Sequence, residues 1–242
     1  MLNDTLTIQL KMPASSHADT NKLQQYFQEM LDAAARPMTY QEFLAWADED
    51  TLAEWEAGKV IMASPASSQH QRISKFLTNL LDLYVQSRAL GEVIPAPFQM
   101  KLQNGREPDL MFVKREHLER LQATYLDGPA DLAVEIISPE SADRDRGIKF
   151  YEYAEGGVAE YWLLDPQAQY AEFYQLQQNY YLQKFSGHTG RYTSAALPGF
   201  WLDVAWLWQD PLPSPLRVLA EIVGMEAQVI ADFERALTGE SA

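Results

Sequence analysis

One carboxylate inside an apolar, strand-like run constrains this chain more than any other feature. Residues 131–137 are almost continuously apolar, as in a central strand covered on both faces, yet Glu135 lies in their midst. Burying an ionised group without a partner is heavily penalised, so a positive charge is expected beside Glu135. A second acidic residue, Asp109, stands directly before the apolar run 110–113. Two such carboxylates on neighbouring strands would repel, and a hard divalent cation held by oxygens is the usual remedy.

Composition narrows the class of protein. The 242 residues fit one domain of generous size, or one domain with terminal extensions. No apolar run is long enough for a membrane-spanning helix and the first ten residues do not resemble a signal peptide, so no membrane partner is expected. The lack of cysteine excludes disulfides, thiolate metal sites and a cysteine nucleophile, and fits a cytoplasmic location. The net charge of −15 argues against a broad basic nucleic-acid surface but leaves room for a local basic cleft.

Periodicity divides the chain into an N-terminal extension (1–36), a domain (37–209), and a tail (210–242) formed by a proline linker and an amphipathic helix. The extension is expected to hold a short helix at about 21–35. The elements expected in the domain are a capped helix from Thr39, a hairpin at 52–63 followed by a break at Ser64-Pro65, a long helix at 67–88 ended by Gly91, strands at 92–94, 98–102 and 109–113, a short helix near 116–123, a strand at 131–137, a helix at 143–155, a strand at 160–164, and a meander of strands at 171–177, 180–185 and 192–196.

Two further interpretations concern how these elements pack. The order strand, helix, strand between 131 and 164 predicts a βαβ unit. The tail is predicted to form one helix at 216–237, whose apolar stripe packs either on its own domain or on a second copy of the chain.

The placement of charged residues indicates metal chemistry. If the strands of Asp109 and Glu135 are neighbours, both carboxylates point into one site, and Glu54 from the hairpin offers a third oxygen ligand. Ligation by oxygen alone favours Mg²⁺ or Mn²⁺ over zinc. A nearby lysine would stabilise charge on a phosphoryl group or orient the attacking water.

Several short segments together resemble the PD-(D/E)XK nuclease superfamily and, more closely, the Uma-two family of restriction-endonuclease-like proteins, first catalogued as a domain of unknown function. The resemblance covers roughly residues 38–205. The segments that carry it are 54–58 in the hairpin, Ser64-Pro65 with Gln69-His70-Gln71, Glu107-Pro108-Asp109-Leu110, Glu135-Ile136-Ile137-Ser138-Pro139, Asp145-Arg146-Gly147 with Lys149 and Tyr153-Ala154, and the strand at 160–166.

The resemblance implies an α/β fold: a restriction-endonuclease-like core of mixed sheet with flanking helices, to which the antiparallel meander and the C-terminal helix are added. It implies a metal held by Asp109, Glu135, Glu54 and the main-chain carbonyl of Ile136. The superfamily places a lysine two residues after the glutamate, where this chain has Ile137. Lys149 on the following helix takes that place, so Asp109, Glu135, Glu54 and Lys149 form the expected catalytic set.

Each of these residues also has a structural interpretation. Asp109 would simply begin an edge strand, and Glu54 would pair across the hairpin with Lys59. Lys149 would join a helix-surface network with Asp145 and Glu152. The remaining candidates are three basic side chains that either face nucleic-acid phosphates or play structural and ion-pairing roles: His70, Arg144 and Arg146.

Three functional hypotheses follow. The first is a Mg²⁺- or Mn²⁺-dependent endonuclease that hydrolyses DNA phosphodiester bonds with metal-activated water, acting as a homodimer because a duplex has two strands. The second is a catalytically inactive member of the fold that serves as a binding or assembly module. The third is a metal-dependent hydrolase of another phosphate ester.

Overall fold

The computed structural model describes residues 37–47, 53–62 and 66–238. The predicted extension at 1–36 with its helix, and the predicted break at Ser64-Pro65, lie outside the described residues. All the elements belong to a single unit, Thr39–Ala242. The division of the chain at residues 36 and 209 stays a prediction.

The described elements alternate between short strands and helices. In chain order they are α1 (Tyr40–Trp46), β1 (Ala53–Glu56), β2 (Lys59–Met62), α2 (Ser68–Arg88), β3 (Gly91–Pro95), β4 (Gln99–Lys101), β5 (Gly105–Arg106), β6 (Leu110–Lys114), a 3₁₀ helix (Arg115–Arg120), β7 (Tyr125–Asp127), β8 (Leu132–Ile136), α3 (Ala142–Arg146), α4 (Ile148–Gly156), β9 (Glu160–Asp165), β10 (Tyr170–Gln177), β11 (Tyr180–Gly187), β12 (Arg191–Thr193), β13 (Trp201–Asp203), a second 3₁₀ helix (Val204–Trp208), α5 (Pro215–Ile222) and α6 (Ala227–Thr238).

Local sequence explains why the first elements form where they do. Thr39 caps α1 through a capping box with Glu42, as predicted. The β1–β2 hairpin turns at Ala57 and Gly58, both of which have positive φ. That combination is typical of the tight turns that match the right-handed twist of a hairpin, and the predicted hairpin is confirmed.

Two main sheets organise the described part of the chain. The larger has the strand order β11-β10-β9-β8-β6-β3, and the smaller has the order β2-β1-β5-β4-β7. In the larger sheet β8 pairs in parallel with β9, while β6 pairs with β8 in the antiparallel sense. The parallel pair with α3 and α4 between its strands confirms the predicted βαβ unit.

Side-chain alternation assigns the larger sheet two apolar clusters, one on each face. On β8, Leu132, Val134 and Ile136 belong to the cluster that includes α2 and α5. Ala133 belongs to the opposite cluster, with α4. Because successive side chains of a strand point to opposite faces, Glu135 lies on the α4 face.

The helix predicted at 143–155 is divided in two by Gly147. A Cβ atom at this position would lie 2.3 Å from the carbonyl oxygen of Asp143, so the close approach of the backbone requires glycine. The tail helix predicted at 216–237 is divided in the same way, because Gly224, with φ of 73°, ends α5. Met225 N–H then bonds to the Ala220 carbonyl, which is a Schellman-type ending.

The short helix expected near 116–123 is present as the 3₁₀ helix Arg115–Arg120. Two further expectations differ from the structure. The last strand of the predicted meander, β12, pairs with β13 instead of β11, since a two-stranded sheet forms across the loop that follows it. The long helix α2 ends at Arg88 and is capped by Ala89, which adopts the left-handed conformation, so Gly91 begins the next strand instead of capping the helix.

Among the described residues, no helix has the length and apolar content needed to cross a bilayer.

Candidate active site

Asp109 and Glu135 line one cavity of about 360 Å³. Asp109 directly precedes β6, and its Oδ2 accepts a hydrogen bond of 2.7 Å from the main-chain N–H of Ile136 on β8. This bond fixes the Asp109 side chain beside Glu135, the preceding residue of β8. Because β6 pairs with β8, the prediction that the two strands are neighbours is confirmed.

Glu135 is held by two donors from α4. Its Oε1 accepts hydrogen bonds from Lys149 Nζ at 3.0 Å and from Tyr153 OH at 2.7 Å. Both donors approach the same oxygen, since Lys149 and Tyr153 lie one turn apart on the helix. Sequence reasoning assigned no role to Tyr153; its spacing of four residues from Lys149 is the signal that would have identified it.

Lys149 lies at the centre of a group of carboxylates. In addition to Glu135, its Nζ contacts Glu54 Oε1 at 2.8 Å and Asp145 Oδ1 at 3.3 Å. Only 5% of the Lys149 side chain is exposed, so the helix-surface network does not describe its environment. Burial works against the charged amine, but these carboxylates hold the pKa of Lys149 well above its usual range.

The negative charge at this point is only partly balanced. Burial raises the pKa of the Glu135 carboxyl, Lys149 opposes that rise, and the carboxylates of Asp145 and Asp109 reinforce it. One lysine therefore serves several acidic groups, and an additional cation would lower the electrostatic energy of the cluster.

Glu54 is connected to a second ionic cluster built around Arg106. The Arg106 side chain is fully buried, and its Nη1 lies 3.2 Å from Glu54 Oε2 and 2.9 Å from Glu56 Oε2. Its Nε donates to Glu152 on α4 at 2.7 Å. In the hairpin register Lys59 stands opposite Glu56, so the alternative pairing of Glu54 with Lys59 is not formed.

Glu107 also lines the cavity, although the sequence indicated no role for it beyond its place in the segment 107–110. Its Oε2 accepts a hydrogen bond of 2.9 Å from the Gln99 side chain. Burial, followed by repulsion from Glu54, raises the pKa of Glu107 to about 7. Like Glu135, Glu107 thus has a raised pKa, which again indicates an excess of negative charge around the cavity.

His70, at the start of α2, contacts Asp109 rather than standing free. Its Nε2 lies 3.1 Å from Asp109 Oδ1. Burial lowers the pKa of His70, but the hydrogen bond and charge of Asp109 outweigh that effect and raise it. Its Nδ1 is buried without a hydrogen-bond partner in the described part of the chain.

The two arginines of the α3 helix are placed differently. Arg144 lines the cavity, and its Nε is buried without a hydrogen-bond partner among the described residues. Arg146 points to the exposed side, where it contacts Glu172 at 3.0 Å and Asp165 at 3.2 Å, and it does not line the cavity. Of the predicted site residues, the structure brings together Asp109, Glu135, Glu54, Lys149, Ile136, His70 and Arg144 around one cavity and leaves Arg146 outside it.

The donor set fits a divalent cation that keeps part of its water shell. Within the described ranges, no three His, Asp or Glu side chains form a ready metal-binding group. Mg²⁺, however, is usually bound by one or two carboxylates together with water and substrate oxygens. Asp109 and Glu135 supply such a pair, in a cavity whose carboxylates outnumber its basic side chains.

The mixed larger sheet, which carries carboxylates beside a cavity, places the protein in the class of restriction-endonuclease-like folds. The sequence profile of the Uma2 family, described as "Putative restriction endonuclease", matches residues 40–205, and the chain belongs to this family.

A solved structure supports the fold. It is described as a "putative nuclease belonging to DUF820" from Anabaena variabilis, and it superposes with a TM-score of 0.62 at 18% sequence identity. The match covers 71% of this chain and 98% of that one. No curated protein matches the chain.

Proposed function

We propose that the protein is a divalent-metal-dependent endonuclease that hydrolyses DNA phosphodiester bonds at this cavity. The observation that carries the proposal is the geometry of Glu135: one oxygen is held by Lys149 and Tyr153 deep in the sheet, beside Asp109 in the same cavity. Membership of a family described as "Putative restriction endonuclease" supports the class of reaction.

Mg²⁺ or Mn²⁺ would be held by Asp109 and Glu135, with Glu54 and the carbonyl of Ile136 as further ligands. Such an ion, when bound, neutralises charge on a phosphoryl group and lowers the pKa of a water molecule. The remaining roles belong to the chain itself.

Lys149 places a buried positive charge beside the two carboxylates. Because the site is largely shielded from solvent, this charge acts more strongly on a phosphoryl oxygen than it would in water. Arg144, with no ion pair described for it, is positioned at the cavity wall to contact a phosphate of the substrate. His70 holds Asp109 against β8 and thereby orients its carboxylate.

A second candidate function is a binding or assembly module without catalytic activity. The position of Lys149 favours it, because an amine that already contacts Glu54, Glu135 and Asp145 supplies internally the charge that a metal would supply. The two candidates differ in whether the site takes up a divalent cation.

Cleavage of supercoiled plasmid DNA tests the proposal. We expect nicking in Mg²⁺ or Mn²⁺ and none in EDTA. Asp109→Asn and Glu135→Gln should each lower the rate by about a hundredfold or more, because the loss of a residue that merely supports a metal ligand already costs about 10–100-fold. Glu92→Gln, an exposed carboxylate on β3, is the matched control and should cleave normally. Full activity in both site variants would contradict the proposal.

A further inference from the structure

Helix α2 presents a surface unlike the rest of this acidic protein. The chain has 34 acidic residues among 242, yet residues 57–81 contain no Asp or Glu over 25 positions. The same stretch contains Lys59, Arg72 and Lys75 as well as His70. Local charge, rather than the net charge of the molecule, determines where a polyanion can approach closely.

The exposed polar residues between positions 71 and 79 lie on one side of α2. Isoleucine, phenylalanine and leucine side chains of α2 are buried in the core, while Gln71, Arg72, Lys75 and Asn79 are exposed. Arg72 and Lys75 are three residues apart, about 4.5 Å along the helix axis, and lie on the same side. The two cations therefore form a short stripe.

This stripe begins at the candidate active site. His70 and Gln71, in the first turn, line the cavity that holds Asp109 and Glu135. Arg72, Lys75 and Asn79 line a second groove of about 740 Å³, which also includes Trp208. Residues 68–81 of this helix thus connect the cavity to the groove without an acidic side chain, and the single acidic residue of α2, Asp82, comes three positions after Asn79.

The ion pair that Arg72 forms is weak. Asp210 approaches Arg72 with an Nη1–Oδ1 distance of 3.7 Å, and their side chains are 87% and 66% exposed. An ion pair as open as this contributes little and is readily exchanged for another anion. Lys75 has no ion pair described for it. The predicted phosphate contact of Arg146, in contrast, is occupied by Asp165 and Glu172.

We infer that the exposed face of α2 carries the DNA strand that flanks the scissile bond, with phosphates over Arg72 and Lys75. The inference rests on the proposed nuclease function and adds to it the surface on which the substrate lies. Two phosphate contacts release counterions, so they make binding depend on salt to a predictable extent.

The test is the salt dependence of DNA binding in EDTA, where no cleavage occurs. A fluorescently labelled duplex of about two helical turns is titrated with full-length protein over a range of KCl concentrations, followed by anisotropy. For the double variant Arg72→Ala/Lys75→Ala, we expect the slope of log K against log[KCl] to become shallower by roughly 1.8, or 0.9 for each lost phosphate contact.

The control is Lys184→Ala/Arg217→Ala, which removes the same charge from exposed positions that line neither the cavity nor the groove. Its slope should equal that of the wild type. An unchanged slope in Arg72→Ala/Lys75→Ala, or an equal change in both double variants, would overturn the inference. Plasmid cleavage by the wild type reports separately on the nuclease function. A shallower slope in Arg72→Ala/Lys75→Ala together with no plasmid cleavage by the wild type would support the DNA-binding surface and contradict the nuclease function.

Discussion

At the scale of single residues, the site is defined by how two side chains share one oxygen. Lys149 and Tyr153 both donate to Glu135 Oε1 and so determine the orientation of the carboxylate. A residue that orients a metal ligand affects metal binding without touching the metal itself. For the proposed metal site we therefore assign Tyr153 as a positioning residue that acts through its hydroxyl group.

Tyr153→Phe removes that hydroxyl and little else. We expect the variant to fold and its affinity for Mn²⁺, measured by isothermal titration calorimetry, to fall by about 10–100-fold. Tyr181→Phe is the matched control, because its buried hydroxyl donates to the Val158 carbonyl at 2.9 Å, away from the carboxylates. Equal Mn²⁺ affinity in the two variants would show that the Tyr153 hydroxyl has no positioning role.

Lys149→Met tests the charge balance of the same cluster. The change keeps a long, unbranched side chain but leaves Glu54, Glu135 and Asp145 without their shared amine, so the free energy of unfolding in EDTA should fall by about 3–5 kcal/mol. Urea denaturation measures this loss, and Mg²⁺ should recover part of it. Lys184→Met, on an exposed strand, should change the stability by less than about 0.5 kcal/mol. A similarly small loss in Lys149→Met would contradict the description of the cluster.

At the scale of elements, the break between α3 and α4 positions Lys149. Gly147 allows the chain to turn with its backbone against the Asp143 carbonyl, so that α4 starts with Lys149 directed at β8. A continuous helix would rotate and displace Lys149 relative to Glu135. The position of this glycine is thus part of the construction of the site.

Gly147→Ala should disturb both the fold and the site. The added methyl group would meet a main-chain oxygen that cannot easily move, which typically costs about 1–3 kcal/mol of stability, and plasmid cleavage should fall with it. Gly187→Ala is the control, since its Cβ would have an ordinary contact of 3.5 Å. Thermal unfolding of the two variants compares them, and equal melting temperatures would exclude the steric role of Gly147.

Sequence periodicity predicted the larger sheet well because its strands are apolar and bounded by turn residues. It also singled out Asp109 and Glu135 as candidates, since charged residues within or beside apolar runs stand out. Glu54 became a candidate through its place in the hairpin, and Lys149 through the resemblance to the Uma-two family. Periodicity did not identify Arg106, because a buried arginine in a two-residue strand has no local signature; its burial depends on Glu152, 46 residues further along the chain. It also missed the breaks at Gly147, where the backbone lies against the Asp143 carbonyl, and at Gly224, where the left-handed conformation ends the helix.

At the scale of the whole molecule, the tail offers a surface for self-association. Val218 and Ile222 of α5 are buried in the core cluster of α2, whereas Val229 and Phe233 of α6 are 46% and 47% exposed. A homodimer stays a prediction, which these two exposed side chains make testable. A twofold pairing of α6 helices would bury them in both copies.

Val229→Ser/Phe233→Ser tests this pairing without disturbing α5. Sedimentation velocity of the wild type should give the mass of a dimer, and that of the variant the mass of a monomer, because the lost apolar area no longer stabilises association. A variant that sediments as a dimer would exclude α6 as the interface, and a monomeric wild type would exclude the homodimer.

The proposed metal site is tested most directly by an anomalous diffraction map from a crystal of the full chain soaked in Mn²⁺. We expect a peak within ligand distance of Asp109 and Glu135, with Lys149 still in contact with the carboxylate cluster. A map without a peak at the cavity, in crystals with well-ordered Asp109 and Glu135 side chains, would contradict the metal-dependent nuclease and favour the binding module.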